Sequence, residues 1–329
     1  EAIEFFKHLN SVVLGRNHGT VMIAEESTAW PKVTGKPEDD GLGFSMKWNM
    51  GWMHDFLEYM KLDPYFRQFN HNLMTFSMTY AYSEKYILVL SHDEVVHLKC
   101  SMINKMPGLY DDKFSNLKAG YSFMLGHPGK KLLFMGQDYG QIDEWNENAS
   151  LEWDLLKYPL HKNMQTYVRE LNKLYQAHPA LYEQDFDTEG FEWINCSYHE
   201  ESMIMFVRRG KEETLLCVCN FDNVDHDKFR LGVPFAGKYK EIFNSDSKEF
   251  GGEGRTNSRA KSSRKMEWDE RENSIEIHIP PMSFMVFSCT PEEKKESPKR
   301  LTTKKSEPKK LTTAKKSEPK KLATKKEEP

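Results

Sequence analysis

Two short acidic segments, each directly after an apolar run, hold the residues in this sequence that are best suited to chemistry. They are residues 24–28 (AEEST) and residues 91–95 (SHDEV). A retaining reaction at a bond between sugars uses a carboxylic acid that donates a proton and a nucleophilic carboxylate, about 5 to 5.5 Å apart. The two segments therefore predict part of a glycosidic active site, with Glu25, Glu26 and Asp93 as candidate acids.

A third apolar run, residues 132–135, ends in the same way, because the polar residues GQD follow it at 136–138. In a parallel α/β barrel the catalytic groups lie at the C-terminal ends of the strands. A single acid at such a position is more often an N-cap that holds the next helix. Three such ends in succession, one with paired glutamates and one with His92 beside Asp93, favour a site over caps alone.

A metal site is the competing interpretation of these acids and histidines. The sequence has no H-E-x-x-H or similar close ligand spacing, although Glu94 and His97 lie three residues apart. A His beside an Asp can instead donate hydrogen bonds to sugar hydroxyls, while the carboxylate offsets positive charge at the anomeric carbon. We therefore predict neither a metal nor a cofactor.

The elements that must position these residues alternate between helices and apolar strands. Predicted helices cover residues 2–13, 48–60, 72–81, 114–125 and 163–176, and predicted strands cover residues 20–24, 41–46, 86–90 and 131–135. This alternation is typical of an α/β fold with a parallel sheet. Four strands are half of what an eightfold barrel needs.

From about residue 185 the apolar pattern changes to period two. Runs of this kind at 203–207, 214–220, 239–243, 274–279 and 284–288 predict an antiparallel β-sandwich. Cys217 and Cys219 share one face of a predicted strand, and we interpret them as small core residues. The predicted organisation is a partial barrel at 1–184, a β-sandwich domain at 185–290 and a tail at 291–329.

The tail is basic and repetitive, whereas the rest of the chain is acidic. The heptapeptide KKSEPKK occurs at 304–310 and again at 315–321, and 14 Lys and Arg against 7 Glu leave +7 on the tail and −11 on residues 1–290. A segment so poor in apolar residues is predicted to be disordered. An acidic body argues against nucleic acid as the main ligand, because phosphate contact requires a clustered positive face.

The compartment can be predicted from what the sequence lacks. It contains no run of 18 apolar residues and no charged-then-apolar leader, so neither a membrane partner nor secretion is indicated. Its five cysteines show no C-x-x-C spacing, which indicates neither a disulfide framework nor a zinc site. We therefore predict a cytoplasmic location.

Four motifs, in order along the chain, resemble those of bacterial-type glycogen branching enzymes of the alpha-amylase superfamily. They are 22–28 (MIAEEST), 43–55 (GFSMKWNMGWMHD), 90–97 (LSHDEVVH) and 130–136 (KKLLFMG). The resemblance covers about residues 1–289 and implies the C-terminal half of a (β/α)8 barrel followed by an antiparallel β-sandwich. The implied reaction cleaves an alpha-1,4-glucan link and transfers the chain to a 6-hydroxyl by a retaining double displacement, with glycogen or amylose as the substrate.

The resemblance also implies roles for individual residues. Glu25 matches the general acid/base, and His92 and Asp93 match a His-Asp pair that binds sugar hydroxyls, with the Asp as transition-state stabiliser. Residue chemistry alone leaves Glu25 and Glu26 as equal candidates.

Aromatic rings near strand ends can stack on sugar faces, although large rings are more often core residues. We predict that Trp48 and Trp145 bind substrate together with His92. Trp52 lies on an apparent apolar helix face and is predicted to be buried in the core.

One group that the resemblance implies does not occur in this sequence before Glu25. The resemblance implies a nucleophilic Asp, two residues after an Arg, at an earlier strand end, and no such pair precedes Glu25. We therefore expect the native polypeptide to include the N-terminal half of the enzyme, and we expect these 329 residues alone to be inactive. Two alternatives stay open, an alpha-amylase-type glucan hydrolase or debranching enzyme, and a non-catalytic glucan-binding protein.

Overall fold

The computed structural model describes residues 1–292, which form one compact unit. The predicted disordered tail, from residue 293 onward, lies outside the described residues. Among residues 1–292, no helix is both long enough and apolar enough to cross a bilayer.

The first part of the chain builds a four-stranded parallel sheet in the order β1-β2-β3-β4. Its strands are β1 (Ile23–Ala24), β2 (Met46–Asn49), β3 (Tyr86–Leu90) and β4 (Lys130–Leu133). Every neighbouring pair is parallel. The C-terminal ends of all four strands therefore lie at the same edge of the sheet, as the sequence predicted.

Helices and short turns connect these strands. The α-helices within residues 1–292 are α1 (Ala2–Arg16), α2 (Met50–Lys61), α3 (Pro64–Arg67), α4 (Asn72–Thr75), α5 (Met102–Lys105), α6 (Tyr110–Gly126) and α7 (Pro159–Ala177). Helix α2 begins at Met50 because the side chain of Asn49 accepts a hydrogen bond from the Trp52 amide at 2.9 Å. Its buried face carries Trp52, Phe56 and Met60, which are 2%, 2% and 0% exposed.

Two predicted strands differ from the structure. The strand predicted at 41–46 lies instead at Met46–Asn49, where a helix was expected to begin. Strand β1 has only two residues, and Val21 and Ile23 are 47% and 46% exposed, so the run at 20–24 is not buried as predicted. The reason is that β1 pairs only with β2 among the described residues and leaves its outer edge open.

The second part of the chain is antiparallel. A six-stranded sheet has the order β10-β9-β12-β7-β6-β5, and β11 pairs with β8 in a separate two-stranded sheet. The strands are β5 (Phe191–Tyr198), β6 (Met203–Arg209), β7 (Thr214–Asn220), β8 (His226–Val233), β9 (Gly237–Asn244), β10 (Lys261–Ser262), β11 (Asn273–Ile279) and β12 (Ser283–Pro291). All five predicted strands are present, while β5, β8 and β10 were not predicted.

Both faces of the six-stranded sheet are buried. On β7, Leu215, Cys217 and Cys219 pack in the core shared with α2, α6 and α7, whereas Leu216 and Val218 pack towards β8 and β11. Residues i and i+2 of a strand point to the same face, so the two cysteines contact the helices. Both are fully buried, which confirms their interpretation as core residues.

Candidate active site

The two glutamates after β1 have different environments. Glu26 accepts hydrogen bonds from the Lys47 ammonium at 2.6 Å and from the Thr28 amide at 2.7 Å. Lys47 lies on β2 and is 4% exposed. Partial burial raises the pKa of the Glu26 carboxyl, but its bonds to Lys47 and Thr28 outweigh burial and hold the pKa below the usual value. Glu26 is therefore a fixed anion that neutralises a buried cation.

Glu25 is placed differently from its neighbour. Its side chain is exposed, and among residues 1–292 it takes part in neither a hydrogen bond nor an ion pair. It follows Ala24, the last residue of β1, at the C-terminal edge of the parallel sheet. The carboxyl group of Glu25 is thus free to contact a ligand at this edge.

The segment after β3 folds into a capped turn. Glu94 accepts hydrogen bonds from the amide of Ser91 at 2.6 Å and from its hydroxyl at 2.8 Å, while the Ser91 hydroxyl accepts from the Asp93 amide at 3.3 Å. This reciprocal arrangement is a capping box around the 3-10 turn His92–Val95. Glu94 is 6% exposed. The cap interpretation is therefore right for Ser91 and Glu94.

His92 and Asp93 project from this turn. The Nε2 atom of His92 lies 3.1 Å from Oδ1 of Asp93, and both side chains are about half exposed. The Lys99 ammonium donates to the backbone carbonyl of Asp93 at 2.8 Å, which fixes the main chain. The pair therefore presents a carboxylate and an imidazole to solvent from a rigid turn.

Trp145 completes a small aromatic cluster beside this pair. Its ring lies 5.9 Å from the His92 ring and 5.2 Å from the Phe134 ring, both edge to face. The Trp145 amide donates to the carbonyl of Val95 at 2.9 Å. Trp145 is only partly buried, so part of its ring is available to a ligand.

The other tryptophans lie elsewhere. Trp48, on β2, is partly buried against the core and lines a cleft of about 520 Å³ that Glu26, Trp30 and Tyr80 also line. Trp52 stacks on Phe56 with ring centroids 4.7 Å apart inside the core, as predicted.

The structure brings only some of the predicted site residues into contact. His92, Asp93 and Trp145 form one cluster, whereas Glu25 and Trp48 contact none of them among the described residues. Strand β2 lies between β1 and β3, so two strand spacings, about 10 Å, separate the strands that carry Glu25 and Asp93. A sugar ring that contacted both groups would span the ends of three strands.

Two partners of the site were not predicted from the sequence. Lys47 forms an ion pair with Glu26, which gives that glutamate a structural role. The Phe134 ring packs against the rings of both His92 and Trp145. A signal for Lys47 was available, because a lysine inside the run FSMKWN at 44–49 needs an acidic partner once the run forms a strand. Within residues 1–292, no three His, Cys, Asp or Glu side chains are arranged to hold a metal ion.

The loop after the capped turn has a strained backbone. His97, Leu98 and Cys100 have φ angles of 56°, 64° and 68°, in the left-handed region. Amides of Leu98 and Cys100 donate to the Glu144 carboxylate at 3.0 and 2.6 Å, which holds this conformation. Left-handed backbone costs about 1 to 2 kcal/mol at a residue with a Cβ atom.

Replacing Leu98 by glycine is therefore expected to stabilise the chain. The Leu98 side chain is 96% exposed, so its removal loses no packing, while glycine adopts this φ without strain. We expect Leu98→Gly to raise the free energy of unfolding by about 1 kcal/mol in urea titrations. Leu98→Ala keeps the Cβ atom and should have no effect. An equal gain from alanine would show that backbone strain is not the cause.

Comparison with known proteins agrees with this architecture. The family described as alpha amylase, C-terminal all-beta domain, matches residues 193–290. The chain is 54% identical over 289 residues to the 1,4-alpha-glucan branching enzyme GlgB of Butyrivibrio fibrisolvens, covering 87% of this chain and 45% of the relative. It is 50% identical over 289 residues to the same enzyme of Halothermothrix orenii, covering 87% of this chain and 46% of that relative.

Solved structures of low sequence identity share the fold. The alpha-amylase from H. orenii is 13% identical, with a TM-score of 0.56 over 88% of this chain and 57% of that chain. AmyP in complex with maltose is 12% identical, with a TM-score of 0.61 over 87% of this chain and 61% of that chain. The chain spans about half the length of the curated relatives it matches. The chain is therefore similar to the 1,4-alpha-glucan branching enzymes over about half of their length, and it has an alpha-amylase-like fold with an antiparallel all-β C-terminal domain.

Proposed function

We propose that this chain is the C-terminal half of a 1,4-alpha-glucan branching enzyme. The observation that carries the proposal is its 54% identity to a branching enzyme over 87% of its length. In this proposal residues 1–184 supply the last four strands of a (β/α)8 barrel, and residues 185–290 form the β-sandwich domain. The consecutive order of the four parallel strands supports this assignment.

The exposed surface near β1 supports the existence of a missing barrel half. Phe5 on α1 is 60% exposed, and Val21 and Ile23 beside the open edge of β1 are 47% and 46% exposed. An open, apolar strand edge is a template for pairing with further strands. The proposal places the preceding barrel strands on this edge, within the same native polypeptide.

The proposed reaction uses Glu25 as the general acid and base. Glu25 protonates the oxygen of the alpha-1,4 link that leaves, while a nucleophilic carboxylate from the other barrel half forms an ester with the anomeric carbon. Glu25 then removes the proton of the incoming 6-hydroxyl, whose oxygen displaces the ester. A free carboxyl group suits both steps, because the group must gain and lose a proton. Glu26 does not suit them, since Lys47 holds it as an anion.

The remaining groups bind the sugar in this proposal. The Asp93 carboxylate accepts hydrogen bonds from sugar hydroxyls and offsets the positive charge of the transition state. His92, held at 3.1 Å from Asp93, donates to a hydroxyl. Trp145 and Trp48 offer ring faces for stacking. The substrate is an alpha-glucan such as glycogen or amylose.

The proposal is tested with the chain alone and with a chimera. The 329-residue polypeptide should produce no alpha-1,6 links from amylose, because the proposal places the nucleophilic carboxylate in the other barrel half. A chimera that joins the preceding part of the Butyrivibrio fibrisolvens enzyme to Glu1 should produce them, as detected by NMR and by the iodine spectrum. Branching leaves the number of reducing ends constant, so a rise in reducing ends would indicate a hydrolase instead. Branching by the unfused chain would overturn the assignment.

A further inference from the structure

We propose that a groove beside α2 binds a small organic phosphate ester. The groove has a volume of about 720 Å³ and lies between α2 and the segment 97–105. Met53, Leu57 and Leu62 form an apolar floor, and Lys61, Lys99 and Lys105 surround it. It contains neither Glu25 nor His92 nor Asp93, so the inference does not rest on the proposed function.

The lining of the groove carries three lysines against two glutamates, Glu58 and Glu94, which leaves one net positive charge. Among residues 1–292, none of the three lysines forms an ion pair with a carboxylate. Lys105 is 7% exposed and donates to the backbone carbonyl of Lys99, and the Lys99 ammonium donates to the carbonyl of Asp93. Buried ammonium groups are normally paired with a negative charge. Lys61 and Lys99 are exposed, so this requirement falls on Lys105, for which the backbone carbonyl of Lys99 supplies only part of the compensation.

The acids beside the groove do not fill this role. The Oε2 atom of Glu94 accepts hydrogen bonds from the amide and the hydroxyl of Ser91, at 2.6 and 2.8 Å. Glu58 is exposed and forms no ion pair among the described residues. Burial and repulsion from Lys61 lower the pKa of the Lys105 ammonium to about 8, although Cys100, Glu144 and Glu94 act in the opposite direction. A bound anion would reduce both the cost of burial and the repulsion from Lys61.

The shape and chemistry of the groove select the class of anion. A phosphate monoester carries close to two negative charges and three acceptor oxygens, which matches three ammonium groups. Binding pockets for small molecules commonly measure about 300 to 1,000 Å³ and are mostly apolar. The apolar lining favours an ester with an organic ring over free phosphate, because a ring can cover Leu62 and Leu98, the apolar lining residues that are not already buried.

Calorimetric titration of the 329-residue chain tests the inference with four probes. Adenosine monophosphate and glucose 6-phosphate represent a nucleotide and a sugar phosphate, inorganic phosphate lacks the ring, and adenosine lacks the charge. At least one ester should bind with a Kd below about 1 mM and about tenfold more tightly than inorganic phosphate. The ester that binds more tightly shows whether the groove prefers a nucleotide or a sugar phosphate. Adenosine should not bind.

Variants of exposed lysines locate the site. Lys61→Ala and Lys99→Ala each remove an ammonium group at the surface, and each should raise the Kd of the more tightly bound ester by about tenfold. Lys162→Ala on α7 removes an exposed lysine remote from the groove and should leave the Kd unchanged. Failure of both esters to bind, binding of phosphate as tight as that of the esters, or equal weakening by Lys162→Ala would overturn the inference.

Discussion

Replacing Glu25 by glutamine is expected to lower the branching rate of the chimera by about a thousandfold. Glutamine keeps the size of the side chain but cannot exchange a proton, and general acid and base catalysis contributes about 10² to 10⁴-fold to a rate. The exposed Glu25 side chain forms no hydrogen bond among the described residues, so the substitution should not alter the fold. The rate is measured from the formation of alpha-1,6 links at saturating amylose.

The matched control is Glu26→Gln. This change breaks the 2.6 Å ion pair with the buried Lys47, so it should lower the melting temperature more than Glu25→Gln and lower the rate far less. Maltosyl fluoride supplies a second readout, because fluoride leaves without protonation. The Glu25→Gln chimera should therefore still release fluoride in the first step. Loss of that step as well, or a larger rate loss from Glu26→Gln, would contradict the assignment of Glu25.

The choice between these glutamates shows what sequence reasoning about the site could not supply. Sequence pattern placed both residues at a strand end, and the structure confirms that position. What separates them is Lys47, which lies on the neighbouring strand β2, 21 residues away. A partner so distant in sequence is set by sheet register, in which Ala24 pairs with Lys47. The resemblance had matched Glu25 to the general acid/base, but the physical reason for the distinction required the structure.

The accuracy of the predicted strands depended on how buried they are. Strands β3 and β7 were predicted with their observed bounds, because β3 is apolar throughout and β7 is apolar between Thr214 and Asn220. Strand β2 was misplaced because Lys47 and Asn49 are buried polar residues, one paired with Glu26 and the other capping α2. Local hydrophobicity does not reveal such polar contacts.

Strands at sheet edges were the ones that the sequence did not reveal. β5 is the last strand of the six-stranded sheet, and among residues 1–292 β8 pairs only with β11. The first five residues of β8 include three charged side chains, and none of these five residues is buried. Edge strands commonly carry charged side chains, which protect the open edge from pairing with another chain, so their period-two signal is weak.

Replacing Asp185 by asparagine is expected to lower the free energy of unfolding by about 3 kcal/mol. The Asp185 side chain is fully buried and accepts hydrogen bonds from Arg208 and Lys130, both at 2.8 Å. Arg208 is also fully buried and donates to the carbonyl of Gly126 at 2.7 Å, so the pair joins β6 to the end of α6. Asparagine leaves the Arg208 cation without a counter-charge. Urea unfolding at pH 7 measures the loss.

The pH dependence of the same variant tests whether charge is the cause. Burial raises the pKa of the Asp185 carboxyl, but the Lys131, Arg208 and Lys130 cations outweigh burial and hold the pKa below its usual value. The pKa of an aspartate in the unfolded state is about 3.9. A carboxyl whose pKa is lower than this in the folded state contributes its full stabilisation of the fold at pH values above the unfolded-state pKa. This stabilisation disappears as the pH falls through the folded pKa, so the difference between wild type and Asp185→Asn should shrink below about pH 4.

A surface aspartate provides the control for burial. Asp154 pairs with Lys157 at 2.5 Å, but its side chain is 89% exposed, and exposed pairs contribute little because water screens them. Asp154→Asn should leave the unfolding curve unchanged. If both variants lost the same stability, or if the loss in Asp185→Asn did not depend on pH, the Arg208 pair would not be what joins the helical part of the chain to the β-domain.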